Sequence, residues 1–246
     1  MTQLLNALSI SPYWLLRIPA VLLALIYAIS KRKSFNMTLL GTFSVAIFVF
    51  FGVVVGAKSF YLVGQIMMHG SEATFWTLSN WSVMVKAGGV LYGSVFGAFG
   101  MILLFAKIFE HKTMDILALA SVIFFGANFF CRIGCFLSGC CYGVQMSNGH
   151  LFPYQLAEGL ICALIFIVFL IWEPEKKHKE LLFPLFMILY STVRFVLEFF
   201  RGDESRGIWL LSTSQWIALI LIPIGIVWWI KAIKKKRDTV PAEAAA

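Results

Sequence analysis

The sequence predicts an all-α polytopic membrane protein with seven transmembrane helices, its N-terminus outside and its C-terminus in the cytoplasm. Three observations carry this. Of 246 residues, 60% are hydrophobic and 13% charged, against about 45–50% and about 25% in soluble domains. Mean hydropathy is +0.87, which excludes a soluble enzyme, a disordered chain and a small disulfide scaffold. The third observation is a one-sided distribution of basic residues.

Seven apolar segments are long enough for a span of about 20 residues: roughly 12–30, 38–57, 88–107, 113–131, 152–172, 181–200 and 208–230. Their continuous apolar character fits helices and not the alternation of a barrel. The first, preceded by MTQLLNALSIS with no basic stretch, reads as retained and not as a cleaved signal. Threading seven spans puts 13 of the 20 Lys and Arg residues on one side. They are Lys31, Arg32 and Lys33; Lys107 and Lys112; Lys176, Lys177 and Lys179; and Lys231, Lys234, Lys235, Lys236 and Arg237. By the positive-inside rule that side is cytoplasmic. Residues 1–237 read as one seven-helix membrane domain and 238–246 as a flexible cytoplasmic tail. The net charge of +8 is thereby topological, and no nucleic-acid partner is expected.

The basic residues that break this asymmetry are Arg17, Lys58, Lys86, Arg132, Arg194, Arg201 and Arg206. Arg17, Lys86 and Arg206 read as snorkelling near span ends. A cation within a span otherwise marks function. Arg132 closes the fourth span in a stretch, 127–143, that also holds Asn128, Gly134, Gly139 and Gly143; small residues permit tight turns and close approach of a ligand. A guanidinium there suits a phosphate, which its planar fork binds bidentately. Arg194, Glu198 and Arg201 are spaced i, i+4 and i+7 at the outer end of the sixth span and so share a helical face. Glu198 can pair with either arginine, as a catalytic arrangement or a structural triad. At the start of the fifth span, Gln155 and Glu158 are i, i+3 behind Pro153, which suits a first helical turn.

Four of five cysteines crowd into 131–141: Cys131, Cys135, Cys140 and Cys141. A disulfide to Cys135 or Cys131 fits an oxidising outer face, and small packing or substrate-facing thiols are the alternative. The spacing lacks the two CxxC knuckles of a structural zinc site, so no metal is expected. Cys162 reads as a small core residue. His69 and His150 read as isolated loop residues.

These motifs together resemble the prolipoprotein diacylglyceryl transferase family. Arg132-Ile-Gly-Cys-Phe-Leu-Ser-Gly139 is similar to its R-I-G-N-F-x-N-G-E, and Pro153-Tyr-Gln-Leu-Ala-Glu158 to its P-x-Q-L-Y-E. Arg194 through Arg201 matches R-F-x-x-E-F-x-R, and Ser212-Thr-Ser-Gln-Trp216 resembles an S-x-x-Q that opens the last span. Gly88-Gly-Val-Leu-Tyr-Gly93 and Gly56-Ala-Lys58 resemble a glycine-rich stretch and a G-A-R step. The resemblance covers residues 14 to 230. It implies an enzyme of the bacterial cytoplasmic membrane, with its active site toward the outer leaflet. Such enzymes transfer the diacylglyceryl group of phosphatidylglycerol to a lipobox cysteine of a prolipoprotein and release glycerol phosphate, with no cofactor.

By the same resemblance Arg132, Arg194 and Glu198 are catalytic, with Tyr92 nearest the family's usual histidine. Arg201, Lys58, Cys135, Cys140, Gln155 and Asn128 bind substrate. Cys135 and Cys140 stand at the family's Asn and Glu, Ser138 at its second Asn, and Lys58 at its arginine. The changes fall on the half that handles the acceptor thiol. A related phospholipid-dependent transferase with another acceptor, or a non-enzymatic transporter or lipid-binding scaffold of the same fold, are the alternative readings.

Overall fold

A computed structural model describes residues 12–69, 91–147, 149–172, 178–202, 207–208 and 210–243. Among these, seven α-helices match the seven apolar segments: α1 Pro12–Lys31, α2 Leu39–His69, α3 Leu91–Ile108, α4 Thr113–Leu137, α5 Tyr154–Trp172, α6 Lys179–Leu197 and α7 Thr213–Glu243. Five stretches are long and apolar enough to cross a membrane: Leu39–Val63, Thr113–Leu137, Tyr154–Trp172, Lys179–Phe200 and Thr213–Lys235. Hydrophobicity is arranged inside out. Glu158 is 0% exposed while Ile171 is 78% exposed, an arrangement that hydrocarbon tolerates and water does not. Lys86, Arg206, Gly88 and Gly89 lie outside the described residues, as does the Lys176–Lys177 pair.

The chain contacts form two compact units, Met37–Leu117 in one and Met1–Asn36 with Ala118–Ala246 in the other. In the first, α2 and α3 meet through glycines. A Cβ on Gly56 would collide with the carbonyl oxygen of Gly93, and one on Gly97 with that of Gly52. Gly52 and Gly56, like Gly93 and Gly97, are four apart, so each helix presents one bare stripe and the backbones touch. Phe105 stacks on His111 at 5.6 Å and meets Phe48 edge-on at 5.3 Å.

In the second unit α4 is the most enclosed span, with 56% of its apolar window buried against 11% for α7. Gly126 admits α1 and α5: a Cβ there would sit 2.8 Å from Leu23 Cδ2 and 3.2 Å from Phe166. Aromatic rings join α4 to α6, with Phe124 at 5.0 Å from Phe186 and 4.6 Å from Tyr190.

Several boundaries differ from the sequence expectation: the second helix runs on to His69, and the seventh to Glu243, so that residues 238–243 of the expected flexible tail are helical. The fourth helix continues to Leu137, so Gly134 is helical and the turn comes at Gly139, whose φ is +67°. The sixth ends at Leu197 in a 3₁₀ turn, Glu198–Phe200, and Arg201 is extended; a regular helix through Arg201 is therefore not formed. The seventh starts at Thr213, because Gly207–Ile208 and Leu211–Ser212 pair as a short antiparallel hairpin. Ser212 then caps it: its Oγ accepts from Gln215 N at 3.2 Å while its own N donates to Gln215 Oε1 at 2.9 Å, a reciprocal capping box.

Candidate active site

Helical spacing brings the polar residues of three helices to one point. Asn128 and Arg132 are i, i+4 on α4; Tyr154, Glu158 and Cys162 follow the same period on α5; Tyr190 and Arg194 do so on α6. Gly159 lets α5 close on α4, since a Cβ there would lie 3.1 Å from Arg132 Cβ.

Glu158 is the centre. Its Oε1 accepts from Arg132 Nη2 at 2.7 Å, Tyr190 Oη at 3.2 Å and Asn128 Nδ2 at 3.4 Å. Its Oε2 accepts from Arg194 Nη1 at 3.1 Å. The same Nη1 donates to the Tyr154 hydroxyl, and Arg194 Nη2 donates to Ser214 Oγ at 3.4 Å. Glu198 Oε2 lies 3.2 Å from Arg194 Nη2 and 3.6 Å from Arg201 Nη1. Both guanidinium groups also lie over the Tyr154 ring, at 5.8 Å and 5.5 Å.

Arg201 is held from outside the helices. Val144 N donates to Phe200 O at 3.0 Å and Gly202 N to Tyr142 O at 3.0 Å. Gly143 and Gly202 are required by this approach: a Cβ on Gly202 would collide with the Gly143 carbonyl oxygen.

Among the described residues the constellation brings together three arginines and two glutamates, their side chains 0–8% exposed. Arg194 Nε and Glu198 Oε2 have no hydrogen-bond partner among the described residues. A buried charged donor left unmatched is costly.

Of the expected site residues, Arg132, Arg194, Glu198, Arg201 and Asn128 thus meet in one network. Gln155 faces the neighbouring loop, its Nε2 donating to Cys140 O at 2.7 Å. Lys58 on α2 and Tyr92 on α3 are half-buried in the unit Met37–Leu117. Missing from the sequence-based set is Glu158, whose central role depends on partners 26 and 36 residues away. Glu158 is marked in the sequence only by its spacing from Gln155 and its place in the P-x-Q-L-Y-E likeness; for Tyr154 and Tyr190 the local signal is their i, i+4 spacing from Glu158 and Arg194.

None of the five cysteines forms a disulfide. Cys162 is fully buried and its Sγ accepts from Asn128 Nδ2 at 3.3 Å. Cys135, Cys140 and Cys141 instead gather so that their Sγ atoms all lie within 4.8 Å of one another. The turn after α4 does this, with Cys140 N bonded to Cys135 O at 3.1 Å and Cys141 in the left-handed region at φ +57°. Partial burial, with Cys141 close by, raises the Cys140 thiol pKa.

Membrane-length helices around a buried arginine–glutamate centre define a membrane protein with a polar, ionic interior. The family model described as prolipoprotein diacylglyceryl transferase matches residues 1–231. A phosphatidylglycerol–prolipoprotein diacylglyceryl transferase of Clostridium tetani is 31% identical over 218 residues, covering 80% of this chain and 82% of the relative. One of Clostridium perfringens is 31% identical over 232 residues, covering 85% and 83%. Another, of Campylobacter curvus, is 27% identical over 197 residues, covering 72% of each. The chain belongs to the prolipoprotein diacylglyceryl transferase family, and its class of activity is group transfer.

Proposed function

We propose that this chain transfers the diacylglyceryl group of phosphatidylglycerol to a lipobox cysteine thiol of a prolipoprotein, releasing glycerol phosphate, and that the arginine–glutamate centre holds the donor phosphate. The observation that carries the residue assignment is the gathering of Arg132 and Arg194 on Glu158, with an Arg194 Nε–H that has no hydrogen-bond partner among the described residues. Phosphatidylglycerol is a phosphodiester with one negative charge, and its phosphate oxygens can accept from that guanidinium donor. As the glyceryl C–O bond breaks, charge grows on the leaving phosphate, and preorganised cations in a low-dielectric site stabilise that growth.

Arg132 and Arg194 grip the phosphate oxygens. Glu158 and Glu198 hold the two guanidinium groups in place, and Arg201 adds charge from the loop side. Asn128 and Gln155 fix Glu158 and the thiol-bearing turn. Lys58 and Tyr92 are assigned by their sequence positions alone, to substrate binding and to the acceptor half. The membrane arrangement is seven spans within residues 1–237, N-terminus outside, with the tail 238–246 in the cytoplasm. It rests on the basic-residue asymmetry and puts the centre toward the outer leaflet of a bacterial cytoplasmic membrane.

The test is purified protein with phosphatidylglycerol and a synthetic lipobox peptide, read by mass spectrometry for a diacylglyceryl thioether. The adduct is expected from the wild type and should be lost in Arg132→Ala. Well-folded protein that yields neither adduct nor glycerol phosphate would overturn the assignment in favour of a lipid-binding scaffold or transporter.

A further inference from the structure

We propose that Cys135, Cys140 and Cys141 hold a zinc ion whose fourth coordination position takes the acceptor thiol; the second half of this proposal rests on the transferase reading above. Three Sγ atoms within 4.8 Å of one another are close to the spacing zinc needs. Tetrahedral bonds of about 2.3 Å set sulfurs about 3.8 Å apart, so the cluster needs to tighten by no more than about 1 Å. Thiolate donors select zinc over hard cations. The spacing C-x4-C-C hides the site from a knuckle-based reading. The helix end at Leu137 and the left-handed Cys141 bring the three thiols together in space instead.

Three protein ligands and an open fourth position are the pattern of reactive zinc sites, whereas structural sites are closed by four. Cys140 is exposed, and Cys135 and Cys141 are half-buried, so an ion and then a thiol can enter from the surface. The location also suits the reaction. Cys135 follows Arg132 by three residues on α4, and Gln155, which holds the Cys140 carbonyl at 2.7 Å, precedes Glu158 by three on α5. Three helical residues rise about 4.5 Å, which places the thiol cluster one turn from the anion centre on both helices.

Zinc answers a chemical need that the acceptor half of the sequence leaves open. A thiol has an ordinary pKa near 8.5 and a tyrosine near 10, so a tyrosine is a weak base for making thiolate at neutral pH. A thiol bound to zinc is deprotonated. The acceptor thiol gives its proton to water as its sulfur binds the ion. The sulfur lone pair then forms the S–C bond at the glyceryl carbon while that carbon's bond to the phosphate oxygen breaks. The bonding pair leaves on that oxygen, as glycerol phosphate.

The test uses full-length protein in detergent, reduced, stripped with chelator and reloaded with Zn²⁺ or Co²⁺. The wild type and Cys131→Ser should retain one ion per chain by elemental mass spectrometry. Cys135→Ser, Cys140→Ser and Cys141→Ser should each retain at least tenfold less while eluting as folded protein. The cobalt form should show thiolate-to-metal charge-transfer bands, and a lipobox peptide should shift them where its Cys→Ser counterpart does not. Metal retained equally by the triple serine variant, or by none of the proteins, overturns the site. Unmoved cobalt bands with the thiol peptide overturn its role with the acceptor. Shifted bands without thioether product support the site and count against the transferase assignment alone.

Discussion

Glu158 on α5 and Arg194 on α6 meet with Oε2 3.1 Å from Nη1, and their side chains are 0% and 4% exposed. The carboxylate is shared: its other oxygen is 2.7 Å from Arg132 Nη2. One glutamate therefore separates two guanidinium groups that would otherwise repel across the centre, and it ties three helices together. Tyr190 supports it from the aromatic layer that joins α4 to α6.

Glu158→Gln keeps the size of the side chain and removes the charge between the two arginines. Breaking a buried ion pair from one side costs about 3–5 kcal/mol, and here two pairs lose their partner. Tyr190→Phe removes one hydrogen bond to the same oxygen, a loss of about 1 kcal/mol. The melting temperature in detergent should fall steeply for the first and slightly for the second. Equal stability of Glu158→Gln and wild type would show that the carboxylate does not hold the centre.

Arg194→Lys retains a cation and loses the planar fork. The unpartnered Nε–H disappears, and one ammonium cannot serve Glu158, Tyr154 and Ser214 together. Because charge on the leaving phosphate develops at the transition state, the loss should fall mainly on kcat, by about 10²-fold or more. Stability should change far less than in Glu158→Gln. A lysine variant with wild-type kcat would remove Arg194 from phosphate stabilisation.

Ser212→Ala removes the side-chain half of the capping box that starts α7. The expected cost is about 1 kcal/mol. Gln215→Ala should cost more, because Gln215 Nε2 also donates to Phe195 O at 3.4 Å and so docks α7 onto α6. Ser214 contacts Arg194, so both variants should also lower activity through the position of that arginine. Urea or thermal midpoints, measured beside initial rates, separate the two effects.

Much of this was legible in sequence, and the limits have a physical origin. Runs such as 159–172 are apolar all round, which requires a helix buried in lipid or protein, so all seven helices were foreseeable. Arg194, Glu198 and Arg201 stood out because a local i, i+4, i+7 spacing places them together, although a 3₁₀ turn and an extended Arg201 replaced the regular helix. Glu158 stood out only as a polar partner of Gln155 and not as a centre: its partners Arg132 and Arg194 come from other helices, and no spacing along the chain encodes that meeting. The thiol cluster was hidden for a related reason, since a left-handed Cys141 makes neighbours of sulfurs whose spacing matches no knuckle. Ser212 and Gln215 were visible as a family motif, while their reciprocal hydrogen bonds explain why those residue types stand there.

The glycines of α2 and α3 give a prediction of opposite signs within one helix. A Cβ on Gly97 would strike the Gly52 carbonyl oxygen and lie 2.9 Å from Gly56 Cα. Neither backbone atom can yield without separating the helices. Gly100, three residues further along the same helix, has nothing within 4 Å of a Cβ. Alanine is favoured over glycine in a helix interior by about 1 kcal/mol, and only at Gly100 is that gain unopposed. Gly100→Ala should therefore hold or slightly raise the melting temperature, while Gly97→Ala should lower it and expose α2 and α3 to proteolysis. If the two variants behave alike, the close backbone contact at Gly52 and Gly56 does not stabilise this unit.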